Sequence, residues 1–354
     1  MPVANNSNNS NNSNNSNNSN NSNNSNNSNN SNNSNNSNNS ELSHAGQAGG
    51  SHLSFALDNI AIMLGNDLGT VAASAAPDID AETALRQLNG RHLRTLLVRE
   101  LSEGLSVAKV RKGAKVRLDG KDLVTLVPPF TDKDDATPHL DAVHQAKWIR
   151  DERIGEIIEQ TTDLLSFFAL AFPFGGGTHP WLMTVIDAVH GAIERVEIEA
   201  KFALSVARPA HLSPVINPVI QTPAHSATPS GHATESYGLA LALESLIFGA
   251  PNQELRVIAG RIEENRVVAG VHYPFDGLQG RKLAAALLPV FAKRMGVPST
   301  GPAPADIKSL SGIEAAEDET FGKNGRVIDP PKPPSGDSPL RVAVRLALRE
   351  LGRV

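Results

Sequence analysis

Hydrophobic and polar positions change their period several times along this chain, and each change marks an element. Leu85, Leu88, Leu93 and Leu97 recur at helical spacing, which predicts a helix from Asp80 to Glu103; Ala56 to Gly65 reads as a shorter one. Val107 to Pro128 alternates instead, and with its Asp119-Gly120 turn it predicts a β-hairpin. From Pro138 the pattern is helical again. His139 to Phe172 reads as one long or kinked helix, with the charges of KWIRDERIGEIIEQ on an exposed face. The GGGTHP loop then leads into a helix from His179 to Ala207. Further helices follow Ser230 and run from Glu254 to Ala269 and from Phe275 to Met295. Thr300 to Ser338, rich in proline and charge, reads as a surface linker. Pro339 to Leu351 gives a last amphipathic helix, with Val342, Val344, Leu346 and Leu348 as its apolar positions. The expected fold is mainly α, a helical bundle with a small hairpin region on its N-terminal side. The organisation implied is a helical region with hairpin over 41–136, a bundle core over 137–299, and a linker with a last helix over 300–354.

Three clauses in the bundle core carry candidate chemistry: KFALSVARP from Lys201, PSGHA from Pro229, and NRVVAGVHYPFD from Asn265. Lys201 and Arg208 are seven residues apart, so on one helix both would leave the same face, about 10 Å apart along the axis. Pro209 would then stop that helix. Ser230 reads as an N-cap, which sets backbone N–H groups and a positive helix end beside its hydroxyl and the His232 imidazole. Gly270 ends the helix that carries Arg266, and Pro274 opens the next. His272 would sit at that entrance, with Asp276 four residues on to orient its other ring nitrogen. Each clause alone has a bland reading: a solvated helix face, a turn before a helix, a surface hydrogen bond. Together, and in this order, they suit a site that holds a tetrahedral, multiply charged oxyanion.

With these residues the chain resembles the superfamily that unites vanadium-dependent haloperoxidases, type 2 phosphatidic acid phosphatases and bacterial acid phosphatases. The shared pattern is Lys-x6-Arg-Pro, Pro-Ser-Gly-His and Ser-Arg-x5-His-x3-Asp. Lys201, Arg208, Pro209, Pro229, Ser230, Gly231, His232, Arg266, His272 and Asp276 match it; Asn265 stands where the pattern has serine. The resemblance implies a helical bundle of the haloperoxidase and acid phosphatase type, with the site between helices at one end. It also implies two sets of roles. In a peroxidase His272 binds the vanadium of vanadate, and Lys201, Arg208, Arg266, Ser230 and the Gly231 N–H neutralise its oxygens. His232 is then the acid/base, and Lys201 polarises bound peroxide for attack by halide. In a phosphatase His272 is the nucleophile and His232 protonates the leaving alcohol.

The stretches HATESYGLALALESL and HYPFDGLQG resemble algal bromoperoxidases, and His225, seven residues before His232, stands where that group carries histidine. A vanadate-dependent haloperoxidase using hydrogen peroxide, bromide or iodide and a small organic acceptor is therefore the leading expectation. His225 would serve at the halide site or in proton relay; its bland reading is a solvated loop residue. Ile198, three residues before Lys201, replaces the tryptophan usual in peroxidases, and the chain is short for that group. A phosphomonoesterase acting through a phosphohistidine at His272 stays open as the alternative, and a binding module without chemistry is a third. His144 and His190 read as ordinary core or surface histidines.

Composition adds limits. Hydrophobic residues make up 40%, enough for a sizeable core, and the net charge of −5 argues against a general nucleic-acid surface. No apolar run reaches membrane-span length, cysteine is absent, and MPVANNS does not open a secretory signal. The chain reads as a soluble enzyme, cytoplasmic or of open compartment, with homo-oligomers allowed. Asn5 to Ser40 is twelve Asn-Asn-Ser repeats with nothing to bury, expected to be disordered and given no function.

Overall fold

A computed structural model describes residues 78–131, 135–318 and 331–353. The repeat and the helix expected at Ala56 to Gly65 lie outside the described residues. Asp80 caps helix α1 (Ala81–Arg86) by accepting the Thr83 N–H at 2.7 Å. The single helix expected over Asp80 to Glu103 is in fact two, because Asn89 takes extended backbone and caps α2 (Gly90–Ser102) through the His92 N–H at 2.9 Å. Three antiparallel strands follow in the order β1 (Leu105–Val110), β2 (Gly113–Leu118) and β3 (Lys121–Leu126). The expected hairpin is thus a three-stranded meander. Its second turn, Asp119-Gly120, has positive φ at both residues, as a tight hairpin turn requires. Its first turn, Arg111-Lys112, carries no such signal in its residue types.

The long helix expected from His139 to Phe172 is also broken. It becomes α3 (Thr137–Gln145), a 3₁₀ turn at Ala146–Ile149, α4 (Arg150–Glu159) and the short α5 (Leu165–Phe168). The break turns Arg150 inward, where its guanidinium donates to the carbonyls of Val268 (2.6 Å), Asn217 (2.8 Å) and Ile216 (3.3 Å). Helix α6 (Pro180–Leu204) comes next, and the single turn α7 (Pro209–Leu212) lies beyond it.

Helix α8 (Gly231–Leu243) is buried along nearly its whole length, and a helix covered on every side belongs at the centre of a bundle. It packs against α6, α9 (Gln253–Val268) and α10 (Pro274–Met295). The stretch read as a linker contains α11 (Gly312–Asp318), which crosses α9 so closely that a Cβ on Gly260 would lie 2.3 Å from the Gly312 carbonyl carbon. Helix α12 (Pro339–Glu350) buries Val342, Val344, Leu346 and Leu348 as its pattern requires. Its Glu350 carboxylate accepts the N–H groups of Trp181 and Leu182 at 2.9–3.0 Å, supplying the N-terminal cap that α6 lacks in its own sequence. One hydrophobic cluster runs from Leu85 through α6, α8 and α10 to Leu348. The protein is therefore mainly helical, with one small antiparallel sheet. Among the described residues no helix is long and apolar enough to cross a membrane.

Candidate functional site

The three clauses meet at one end of the bundle, by a route that differs from the spacing argument. Helix α6 stops at Leu204, where Ser205 takes left-handed backbone (φ 52°). Arg208 therefore does not share a helix face with Lys201. It lies in extended backbone ahead of α7, and Pro209 opens that turn rather than ending the long helix. The chain after α7 returns to the break: Ser226 Oγ accepts the Val206 N–H at 2.8 Å, and the Ala227 N–H reaches the Val206 carbonyl at 2.9 Å. That return brings Arg208 back over Lys201.

The remaining local expectations match the structure. Ser230 caps α8 and accepts the Ala233 N–H at 3.4 Å. Gly270 (φ 84°) follows the end of α9, and Pro274 opens α10. His272 lies between them, with its Nδ1 3.1 Å from Asp276 Oδ2. Arg208 Nη1 stands 2.9 Å from His272 Nε2. A guanidinium only donates, so Nε2 holds the lone pair, and Nδ1 carries the proton that Asp276 accepts. Asp276 is fixed in turn by the Tyr273 N–H at 2.8 Å and by the Thr228 hydroxyl. Nε2, with its lone pair, thus faces the Arg208 guanidinium.

Lys201, Arg208 and Arg266 are each 1% exposed. Lys201 Nζ donates to the Pro229 and Ser226 carbonyls and lies 3.5 Å from Glu197 Oε1. Burial pushes Lys201 below the usual lysine range and both arginines down to about 10. Arg266 is the extreme case: burial acts on it with no carboxylate in opposition. Its Nη2 donates to the Ile157 carbonyl at 3.1 Å and to Gln160 Oε1 at 2.9 Å, while Nε and Nη1 are buried without a partner. Two orphaned guanidinium donors in a pocket of cations fit a bound oxyanion, whose oxygens would satisfy them. Among the described residues no group of three or more His, Asp or Glu side chains could hold a metal cation; the donors here are arranged for an anion.

Burial also governs the acids and imidazoles. It pushes Asp276 up to about 6, against the hydrogen bonds from Thr228 and Tyr273, and it pushes Glu197 up to about 8. Burial and then the charge of Arg266 push His232 down to about 4, and burial with Arg208 and Lys201 drives His272 well below the usual histidine range. His232 Nε2 lies 2.8 Å from the Gln160 carbonyl, which can only accept, so that nitrogen carries the proton. His225 is exposed at the rim, with Nδ1 3.1 Å from Arg208 Nη2 and its carbonyl accepting from Arg208 Nε at 3.0 Å.

Several contributors carry no motif. Gln160 holds both Arg266 and His232. Asn265 is fully buried and donates to Glu156 Oε2 and Gln160 Oε1 at 3.0 Å each, while accepting from Arg153 Nη1 at 2.9 Å. A serine hydroxyl could not span those three partners. Glu197 precedes Lys201 by one helical turn, and the inward stripe of Val189, Ile193, Val196 and Ala200 was the available signal that both face in. Glu197, His225 and Glu235 line a pocket of about 280 Å³ beside the cradle, with Gly191, Glu194, Arg195 and Ile198. His190, read from sequence as an ordinary histidine, lies 3.7 Å from Glu235. Burial opposes its charge, but Glu235 outweighs burial and holds it up at about 9. His144 stays on the surface near Lys147. Comparison with models of known protein families and with curated proteins finds no match to this chain.

Proposed function

We propose that this chain hydrolyses phosphate monoesters through a phosphohistidine at His272, on a cradle that also fits vanadate. The observation that carries the reading is the pairing of two orphaned Arg266 donors with a buried His272 whose Nε2 holds its lone pair. Lys201, Arg208, Arg266, the Ser230 hydroxyl and the Gly231 N–H would bind the non-bridging phosphate oxygens, with charge growing on those oxygens as the reaction proceeds. On binding, Arg208 would exchange its contact with His272 for a phosphate oxygen and free the nucleophile. His272 Nε2 then forms the N–P bond as the ester P–O bond breaks, and Asp276 stabilises the positive charge that develops on the ring. Water afterwards cleaves the N–P bond and returns the lone pair to Nε2.

The pocket beside the cradle supports hydrolysis over halide oxidation. It offers room for the organic part of an ester, and its wall carries the Glu235 carboxylate, poor company for an incoming halide. Glu235 is ionised: its ion pair with His190 and the charges around it outweigh burial and hold it at about 2.

Haloperoxidation is the second reading, favoured by the contact of His225 with Arg208. Vanadate, when bound at His272 with the same donors on its oxygens, would supply a Lewis-acidic centre that activates hydrogen peroxide toward halide. His225 would then hold or pass a proton at the rim.

The test is a quench of phosphate-free protein with a phosphorus-32 monoester. Hydrolysis reads out as acid-labile label on wild type and none on His272→Ala. Absence of label and of released phosphate, with vanadate-dependent bromination of a dye, would replace this reading by the second.

A further inference from the structure

The hydrolase reading leaves open which group gives its proton to the departing alkoxide, and the resemblance to known families points to His232. The surroundings of that residue argue otherwise. Its Nε2 proton is committed to the Gln160 carbonyl at 2.8 Å, and it sits against Arg266, whose charge disfavours a second proton on the ring.

We propose that Glu197 is the residue that protonates the leaving oxygen, a role that rests on the hydrolase reading above. Three geometric facts carry it. Glu197 is 5% exposed, and its Oε2 is buried with no hydrogen-bond partner, although Oε1 lies 3.5 Å from Lys201 Nζ. The side chain reaches the first residue of α8: a Cβ on Gly231 would lie 2.7 Å from Glu197 Oε1, so glycine there leaves the carboxyl room at the lip of the cradle. It also lines the pocket beside the cradle, where the organic group of an ester would sit.

The surroundings keep a proton on this group. Lys201, His190 and Glu194 face it from α6, and Glu235 faces it from α8. Burial is the largest influence and favours the acid; Lys201 and His190 oppose it, Glu235 and Glu194 reinforce it, and a phosphate in the cradle would add to them. The step balances. As His272 Nε2 bonds to phosphorus and the P–O bond breaks, the Glu197 proton passes to the alkoxide, which leaves as an alcohol. The resulting carboxylate lies beside Lys201. It then takes a proton from the water that attacks phosphorus, the N–P bond opens, and inorganic phosphate departs with Glu197 again an acid.

The experiment compares an alkyl phosphate, whose alkoxide needs a proton, with p-nitrophenyl phosphate, whose phenolate does not. Glu197→Gln should lower kcat/KM for the alkyl ester roughly 100- to 1,000-fold, the range of general acid catalysis, with a far smaller loss on p-nitrophenyl phosphate. The alkaline limb of the alkyl-ester pH profile should vanish with it. Equal losses on both esters, or the same leaving-group preference appearing in His232→Gln instead, would overturn the assignment while leaving the hydrolase reading intact. If wild type hydrolyses neither ester and traps no phosphohistidine, both fall together. A series of aryl and alkyl esters on wild type tests the same point without a variant. Shallow dependence of kcat/KM on leaving-group pKa is the expected result, and a steep one would count against any proton donor, Glu197 included.

Discussion

Helix α9 carries a buried arginine near each end, and the two are satisfied in opposite ways. Arg256, in its first turn, meets Glu244 through Nε (2.7 Å) and Nη2 (3.0 Å) and also donates to the Thr300 carbonyl at 2.9 Å. Burial disfavours its charge, but Glu244 outweighs burial and holds it above the usual arginine value. Arg266, in the last turn, has a backbone carbonyl and an amide oxygen on one nitrogen and nothing on the other two. A buried guanidinium needs partners for its donors, and Arg256 has a counter-ion built in. The other arginine has two donors open, and an anion that met them would supply what Glu244 supplies to Arg256.

The largest expected effect concerns the group that such an anion would react with. His272→Ala should reduce turnover by at least about a thousandfold, the scale seen when a nucleophile is lost, and should abolish the trapped phosphoenzyme. Retained hydrolysis in that variant would move the reaction centre elsewhere.

Replacing each α9 arginine by methionine sharpens the comparison. Arg256→Met strands the buried Glu244 and should cost about 3–5 kcal/mol of stability, read by denaturant unfolding. Arg266→Met strands only amide and carbonyl groups and removes an uncompensated buried charge, so stability should hold or rise. Its binding should suffer instead. Phosphate at a hundred times its Kd should stabilise wild type by about 2.7 kcal/mol, and this increment should largely disappear in Arg266→Met. Equal destabilisation in both variants would mean that Arg266 is a structural cation like its partner.

A smaller effect is expected from pH. Asp276, pushed up to about 6, must be ionised to accept the His272 proton and to stabilise the imidazolium. As pH falls through about 6 it protonates, so kcat/KM should decline on the acid side with an apparent pKa in that region. In Asp276→Asn the residual activity should lose this limb. Persistence of the limb would assign it to another group.

Much of this site was legible in the chain because its signals are local. Ser230 as a cap, Gly270 as a helix end and Pro274 as a helix start each act within one turn, and each holds. The approach of Lys201 to Arg208 was not local. It depends on left-handed backbone at Ser205, a residue type that does not announce that conformation, and on a loop that returns through Ser226. The first turn of the sheet failed for the same reason, since Arg111-Lys112 carries no turn residue. The helix break at Asn89 was legible, since Asn89-Gly90 is a turn dipeptide and Leu88 to Leu93 breaks the helical spacing; the break around Ala146 carries no such signal and goes with the burial of Arg150. Gln160 carries no motif at all, because its value lies in what α9 brings to it.

The smallest expected effect follows from that last contact. Asn265→Ser keeps at most part of the bridge to Arg153, Glu156 and Gln160. Loss of one or two buried hydrogen bonds should cost about 1–3 kcal/mol in unfolding and weaken phosphate binding modestly as Gln160 loosens its hold on Arg266. An unchanged variant would make the bridge ornamental. The bridge is also a mechanical brace. Gln160 follows α4 and Asn265 belongs to α9, so their contact clamps two separate helices, and Arg266 and His232 both hang from the clamped residue.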